Sequence, residues 1–360
     1  MHKIDLVMDF QYGSTGKGLI AGYLAKRGQY DTAICAFATN AGHTYIDGGI
    51  HLMTQQLPTS IVSSTVKRIL LGPGSAIHAE TLLAEMSRYV DHLEGKTLMI
   101  HPQAAVVEDY HAEFEKKDGR TKMGSTSKGV GEAYIERIRR GPFNNTVKCR
   151  WGEGRGRLID SLLAKYICTE QEYDQALKES ECMIIEGAQG FSLSLYHGQY
   201  PYTTSRDVTP WQIAADCGIP FQWASTIQVI GTLRTFPIRV NNRDGSSGPC
   251  YPDQVELTWE ELGQPAELTT VTKLQRRIFT FSQKQLEEAM FHCGGYWHTR
   301  LFLNFCNYLP GDKELAHLIR EIETPRPGYF VTPKVEWLGF GPSDGDVCAY
   351  AEHFDRSEQV

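Results

Sequence analysis

Gln11-Tyr12-Gly13-Ser14-Thr15-Gly16-Lys17-Gly18 stands between an apolar run, residues 4–7, and a helical pattern, residues 19–26. A strand, a glycine-rich turn and a helix start, in that order, are the unit from which α/β proteins are built. The glycines let the backbone come close to phosphate oxygens. The helix start then offers unpaired N–H groups to an anion, and Lys17 adds a point charge. The spacing is shorter than that of the long GxxxxGK[ST] loop and does not end in Lys-Ser or Lys-Thr. An ordinary strand-to-helix turn has the same appearance, so this stretch alone leaves both readings open.

A second cluster, Asn40-Ala41-Gly42-His43-Thr44, follows another apolar run, residues 32–38. Strand ends of an open α/β sheet converge on one crevice, which brings the two loops to a common ligand. Asn and Thr bind phosphate, Gly permits close approach, and His donates a proton or a hydrogen bond near neutral pH. A lone histidine is also an ordinary packed or surface residue, and His43 by itself does not separate the two.

Working outward, buried strands are predicted over residues 4–8, 32–37, 68–71, 97–100, 182–185, 225–230 and 298–302. Helices are predicted over 19–27, 79–93, 158–167 and 283–290. The alternation predicts an α/β fold: a large, mostly parallel central β-sheet flanked by helices on both faces. Residues 44–53, with Asp47-Gly48-Gly49 in the middle, read as a hairpin. The stretch from Asn241 to Pro249 is the strongest loop signal. We read residues 1–360 as a single domain with a surface insertion near 241–253.

The chain has 360 residues and is 41% hydrophobic, enough for a large core. A net charge of −7 argues against a nucleic-acid partner, whose binders carry a basic face, but leaves room for nucleotides held by local positive loops. The nine cysteines are scattered, with no Cys-x-x-Cys, which fits a reduced cytoplasmic setting. No signal peptide, membrane-length apolar run or internal repeat is seen, so no membrane partner is expected.

Further motifs come in a telling order: Met123-Gly124-Ser125-Thr126-Ser127-Lys128-Gly129-Val130-Gly131 with Arg139-Arg140, then Glu186-Gly187-Ala188-Gln189-Gly190, then Tyr200-Pro201-Tyr202-Thr203-Thr204-Ser205. With the two loops above, this order resembles the adenylosuccinate synthetase family, from about residue 4 to Pro342. The resemblance implies that family's fold, related to the P-loop NTPases. One position departs. The family's phosphate loop normally reads Gly-Asp-Glu-Gly-Lys-Gly, and its Asp is the catalytic base; here the loop reads Gly-Ser-Thr-Gly-Lys-Gly, with Ser14 for Asp. That change resembles the phage-type branch that makes 2-aminoadenylosuccinate for diaminopurine (Z) genomes.

The resemblance implies a two-step ligase. A donor nucleotide phosphorylates O6 of a purine monophosphate, and the amine of L-aspartate then displaces that phosphate at C6. For the Ser14 branch the purine is dGMP. The resemblance assigns Ser14, Lys17, His43 and Gln189 to catalysis, with His43 on O6 and Gln189 on the lactam edge. Gly13, Thr15, Gly16, Lys17, Gly18, Gly42 and Thr44 take the donor phosphates. Ser14 and the carbonyl of Gly42 stand near Mg²⁺. The monophosphate falls to Ser14, Asn40, Thr126, Arg140, Gln189, Thr204 and Val240, with Arg140 delivered from a neighbouring subunit, which implies a homodimer.

Ser14 is small and neutral, so it leaves room for a 2-amino group but cannot replace a carboxylate as base; alternatively it caps the helix that follows. Asp9 stands where the family usually has Gly. It is either a candidate N1 base, alongside the incoming aspartate and a water, or a structural acceptor of backbone N–H groups.

The amino-acid loop resembles the family's Thr-Thr-Thr-Gly-Arg-x-Arg-Arg through Thr269-Thr270-Val271-Thr272-Lys273-Leu274-Gln275-Arg276-Arg277. Thr270, Val271, Thr272, Arg276 and Arg277 are assigned to aspartate, whose carboxylates need cations. Lys273 and Leu274 depart from the family's Gly and Arg. The donor base is read in the family by Lys-x-Asp. Here Phe305 and Asn307 hold those places, and Gly341-Pro342 matches a late turn near the base. Asn offers a donor and an acceptor, which suit adenine, so ATP or dATP is expected as donor. The alternatives are an IMP- and GTP-using synthetase and a purine nucleotide sensor without catalysis.

Overall fold

A computed structural model describes residues 2–118, 125–140, 145–152, 162–242, 246–269, 273–294, 299–325 and 332–357. In chain order the strands are β1 (Lys3–Asp9), β2 (Thr32–Cys35), β3 (His43–Asp47), β4 (Ile50–Thr54), β5 (Arg68–Leu71), β6 (Ala76–Ile77), β7 (Thr97–Ile100), β8 (Ala105–Val106), β9 (Cys182–Gly190), β10 (Ile227–Arg234), β11 (Ile238–Arg239), β12 (Glu256–Leu257), β13 (Arg277–Phe279), β14 (Arg300–Asn304), β15 (Lys334–Gly339) and β16 (Val347–Ala349).

Nine of them form one sheet in the order β16-β15-β14-β10-β1-β9-β2-β5-β7. Its pairs are parallel except β15 with β16. The central strands are short apolar runs buried on both faces, which is how parallel sheets read in sequence. Large apolar clusters line both faces of the sheet: one gathers Ile4, Leu6 and Met8 of β1, the other takes Val7 with the residues of the first helix. A period of two along β1 divides its side chains between them.

Helix α1 (Lys17–Arg27) follows β1 and is buried from Lys17 to Ala25, because the β3–β4 hairpin covers the side that the sheet does not. That hairpin turns through Gly48-Gly49, with Asp47 opposite Ile50. The predicted helix 79–93 divides into Ala79–Arg88 and Val90–Leu93. The break falls at Tyr89, whose hydroxyl is engaged by both the N–H and the carbonyl of Met53 beside it in the hairpin.

The predicted helix 158–167 is a correction. Residues 158–161 lie outside the described residues, and Ala164–Tyr166 makes only a short 3-10 turn. Ile167 then bridges Ile100 at the sheet edge, and the Cys168 N–H reaches the Ile100 carbonyl at 3.2 Å, so edge pairing wins over helix continuation.

The sequence-assigned insertion is described at 241–242 and 246–253. Its Ser247 and Gly248 are buried beneath Arg277, which donates to the Ser247 Oγ and the Gly248 carbonyl. Every cysteine is a free thiol. Among the described residues no helix is long and apolar enough to cross a membrane.

Candidate active site

β1 ends on Asp9, and its carboxylate organises the loop that follows. Oδ1 accepts the Gln11 N–H at 2.7 Å and the Gly13 N–H at 3.3 Å. Oδ2 accepts the Thr15 hydroxyl at 2.5 Å and the Lys17 ammonium at 3.3 Å. Asp9 is fully buried. It is therefore the acceptor of the loop's own donors, four of which converge on its two oxygens. The loop is also clamped from outside. A Cβ on Gly16, which has φ 94°, would come within 2.3 Å of Asn304 Nδ2, and one on Gly190 within 2.4 Å of the Gln11 carbonyl. Only glycine permits both approaches.

Ser14 sits at the crest of the loop with φ 57° and an exposed side chain. It does not cap α1, whose N-cap is Gly16 with no side-chain hydrogen bond. The helix-capping reading of Ser14 is thereby removed.

The second cluster leaves β2 and enters β3 at His43. The ring is 4% exposed and stacks on Phe37 at 4.0 Å. Its Nδ1 lies 2.7 Å from Glu186 Oε1. The other carboxylate oxygen of Glu186 accepts the Thr59 N–H at 2.8 Å. A carboxylate so held fixes the ring's orientation and leaves Nε2 as the nitrogen open to substrate.

Glu186 is placed there because β9 pairs with β2 and β1 at once, Cys35 and Val7 both lying opposite it. Immediately after Glu186 the register shifts, and Asp9 lies opposite Gly190. Within that irregularity Gln189 has φ 66°, and its amide donates to Asn40 Oδ1 at 3.3 Å. Asn40, His43, Glu186 and Gln189 thus meet at the carboxyl ends of β2 and β9, beside the phosphate loop.

The other assigned residues are more spread out. Thr126 is half-buried ahead of the helix Val130–Arg139, whose N-terminal N–H groups at Gly129 and Gly131 are taken by the Glu115 carboxylate. Arg140 ends that helix, exposed, on an open groove with Gln103, Arg137 and Ile138. Thr204 is held through its N–H on the Leu193 carbonyl at 2.7 Å. Val240 follows β11, half-buried.

Thr270, Val271 and Thr272 lie outside the described residues. Their flanks form a hairpin, with Thr269 N–H on the Leu274 carbonyl and Arg276 N–H on the Glu267 carbonyl, both 2.8 Å. Burial pushes the Arg276 guanidinium below its usual pKa; the neighbouring Glu267 opposes that shift and Arg234 adds to it. Arg277 turns the other way, in a two-armed pair with Glu256. Asn307 is exposed in the turn Cys306–Tyr308 after β14. Gly341-Pro342 follows β15, where the Phe340 N–H reaches the Asp346 carbonyl at 2.9 Å. Gly42 and Thr44 flank His43 on the exposed side.

Sequence reasoning quoted Glu186 within a motif but gave it no role, and it passed over Arg234 and Glu267. For Glu186 and Arg234 the usable signal was a charged residue within a buried, mainly apolar strand, since a buried charge needs a partner; Glu267 lies outside the strands and carries no such signal.

Over residues 6–146 and 149–303 the chain matches the adenylosuccinate synthetase family. It is 46% identical over 351 residues to the N6-succino-2-amino-2'-deoxyadenylate synthase of Vibrio phage phiVC8, covering 96% of this chain and 98% of that one. Its structure is similar to that of the cyanophage S-2L succinoaminodeoxyadenylate synthetase bound to dGMP and dATP as energy donor. The TM-score is 0.86 and the identity 40%, over 97% of this chain and 95% of that one. The fold is shared with the adenylosuccinate synthetase of Plasmodium falciparum, at a TM-score of 0.74 and 18% identity, over 96% of this chain and 99% of that one.

Proposed function

The chain belongs to the adenylosuccinate synthetase family, and from that premise we propose that it joins L-aspartate to C6 of dGMP, driven by ATP or dATP, giving N6-succino-2-amino-dAMP for diaminopurine DNA. The observation that carries the choice of purine is the division of labour between Asp9 and Ser14. The loop's one carboxylate is buried and occupied by Gln11, Gly13, Thr15 and Lys17. The exposed crest is a neutral serine. A purine edge bearing both N1–H and a 2-amino group meets a small polar side chain there.

In the first step O6 attacks the γ-phosphorus, the bond from that phosphorus to the β,γ-bridging oxygen breaks, and ADP or dADP leaves. With Nδ1 donating to Glu186, a proton on Nε2 makes His43 an imidazolium paired with a buried carboxylate. Nε2–H then donates to O6 as charge develops. A positioned group of this kind is worth about 10²–10⁴-fold. Lys17 and the loop N–H groups steady the transferred phosphoryl. Asp9 is occupied, so the N1 proton passes to the incoming aspartate or a water. In the second step the neutral amine bonds to C6 and the C6–O bond breaks; phosphate leaves and carries off the proton that the nitrogen sheds. Arg276 holds an aspartate carboxylate, while Arg277 braces the loop at 247–248.

Mg²⁺ is the implied metal. The exposed crest of the phosphate loop and Gly42 offer hard, neutral oxygens, the Ser14 hydroxyl and the Gly42 carbonyl, beside the donor's phosphates. That fits an ion which keeps few protein ligands. When bound, it neutralises charge on the donor phosphates. The assembly proposed is a homodimer in which Arg140 completes the partner's phosphate site, and the setting is the host cytoplasm if the gene is carried by a phage.

One assay matrix tests the reading: IMP, GMP and dGMP crossed with ATP, dATP and GTP, with aspartate and Mg²⁺. Phosphate release is expected with dGMP and an adenine nucleotide, and only with aspartate present. Turnover confined to IMP with GTP overturns the assignment, and binding without phosphate release marks a sensor.

A further inference from the structure

Arg234, the last residue of β10, is fully buried beside the phosphate loop. Its backbone is gripped by Gln11, whose amide donates to the Arg234 carbonyl at 3.2 Å and accepts its N–H at 2.9 Å. Its guanidinium reaches three other places at once. Nη1 donates to the Ser14 carbonyl at 3.1 Å. Nη1 and Nη2 fork onto the Glu267 carboxylate at the base of the amino-acid hairpin. The guanidinium carbon Cζ lies 3.5 Å from the centre of the Phe305 ring, two residues before Asn307.

Phe305 has φ 61°, a conformation rare for a bulky residue, and the guanidinium covers one face of its ring. Glu267 also accepts the Tyr308 hydroxyl at 3.3 Å, and it neighbours Arg276, whose backbone pairs with its own. A planar five-donor group can join a carbonyl, a carboxylate and an aromatic face simultaneously; an ammonium cannot.

We propose that Arg234 is a positioning residue that ties the amino-acid hairpin, the purine-facing Ser14 and the donor-base loop into one arrangement, so that filling the amino-acid site tightens the donor site. This rests on the proposed function, which assigns those three loops to those three substrates. The route is electrostatic. The Glu267 carboxylate is paired with Arg234, and the charges of both act on the Arg276 guanidinium; the Arg276 backbone N–H is held by the Glu267 carbonyl. A dicarboxylate on Arg276 relieves the repulsion between the two guanidiniums and leaves Glu267 to Arg234. Arg234 then stays seated on Ser14 and Phe305.

The test measures dATP affinity with and without succinate, which carries both carboxylates of aspartate and no amine, in the wild type, Arg234→Lys and Glu267→Gln. Steady-state KM values are taken in parallel. In the wild type succinate is expected to tighten dATP binding about fivefold or more, within the usual range of coupling between sites. In both variants that factor falls towards one, and KM for dATP and for aspartate rise together. Arg234→Lys keeps the charge but not the fork, so it is expected to fold and to lose the coupling. If it does not fold, Glu267→Gln, at a part-exposed residue, carries the measurement alone.

Succinate without effect on wild-type dATP binding overturns the proposal. So does a folded variant with unchanged coupling, or one that loses only active fraction while both KM values stand. Absence of wild-type phosphate release from dGMP, dATP and aspartate is a different result: it defeats the proposed function while the binding measurement still reads the coupling.

Discussion

Glu186 Oε1 lies 2.7 Å from His43 Nδ1, and both residues are buried. The carboxylate therefore decides which ring nitrogen faces the substrate. Glu186→Gln keeps the shape and the Thr59 contact but removes the negative charge beside the ring, and with it the support for a ring that donates from both nitrogens. We expect kcat to fall about 10²–10⁴-fold, the range for a positioned acid or base, with dGMP affinity little changed. His43→Ala should abolish or nearly abolish turnover and leave nucleotide binding largely intact. Near wild-type turnover in His43→Ala, measured by phosphate release, would remove the residue from the mechanism.

Asp9 separates two roles that sequence could not. Its carboxylate is the anion around which the phosphate loop closes, with Lys17 at 3.3 Å. Asp9→Asn leaves Lys17 without its partner; breaking a buried pair costs about 3–5 kcal/mol. A fall in Tm of several degrees and a rise in donor KM are expected, with the acid limb of the kcat–pH profile in place. A profile that loses its acid limb while the melting temperature holds would make Asp9 a proton acceptor instead.

Much of the fold was legible because its central strands are short, mostly apolar runs. Residues 68–71 and 97–100 are strands with the bounds expected of them. β15 and β16 escaped notice: Lys334 and Glu336 alternate with apolar residues near the sheet edge, where no continuous apolar run is required. The site was legible as motifs, since phosphate loops and Asn-Ala-Gly-His-Thr are local. The partnerships within it were not. His43 finds Glu186 and Ser14 finds Arg234 only through strand order, across 143 and 220 residues of chain.

Asn307 stands exposed in the turn after β14, where the family has an Asp that reads guanine. Asn307→Asp restores an acceptor for guanine N1–H and N2–H and removes a donor that suits adenine. A preference shift towards GTP or dGTP is expected, worth about 1–3 kcal/mol or roughly 5- to 150-fold in kcat/KM ratio. A wild-type enzyme that strictly needs GTP would contradict the assignment.

Arg140 is exposed at a helix end, on an open groove. If it completes a partner's phosphate site, Arg140→Ala and His43→Ala are each inactive alone. Mixed after reversible dissociation, half the dimers are hybrids with one intact site of two, so about a quarter of wild-type activity should return. A monodisperse monomer turning over at full rate would end the idea.

Ser14 is the residue on which the purine turns. It is exposed at the loop crest, it does not cap α1, and its carbonyl is fixed by Arg234. The side chain is thus held in place by its own backbone and is free to meet the purine edge. Ser14→Asp adds bulk and charge at C2 and restores the family's base. Its use of dGMP should weaken, and its use of IMP should rise from a low level. One hydrogen bond is worth about 1–3 kcal/mol, and a clash adds to that, so the two kcat/KM values should move in opposite directions. Ser14→Ala removes the hydroxyl without adding bulk or charge. A fall in the dGMP to IMP ratio in that variant shows the hydroxyl reading the 2-amino group. An unchanged ratio leaves the space beside a small residue as the surviving source of selectivity.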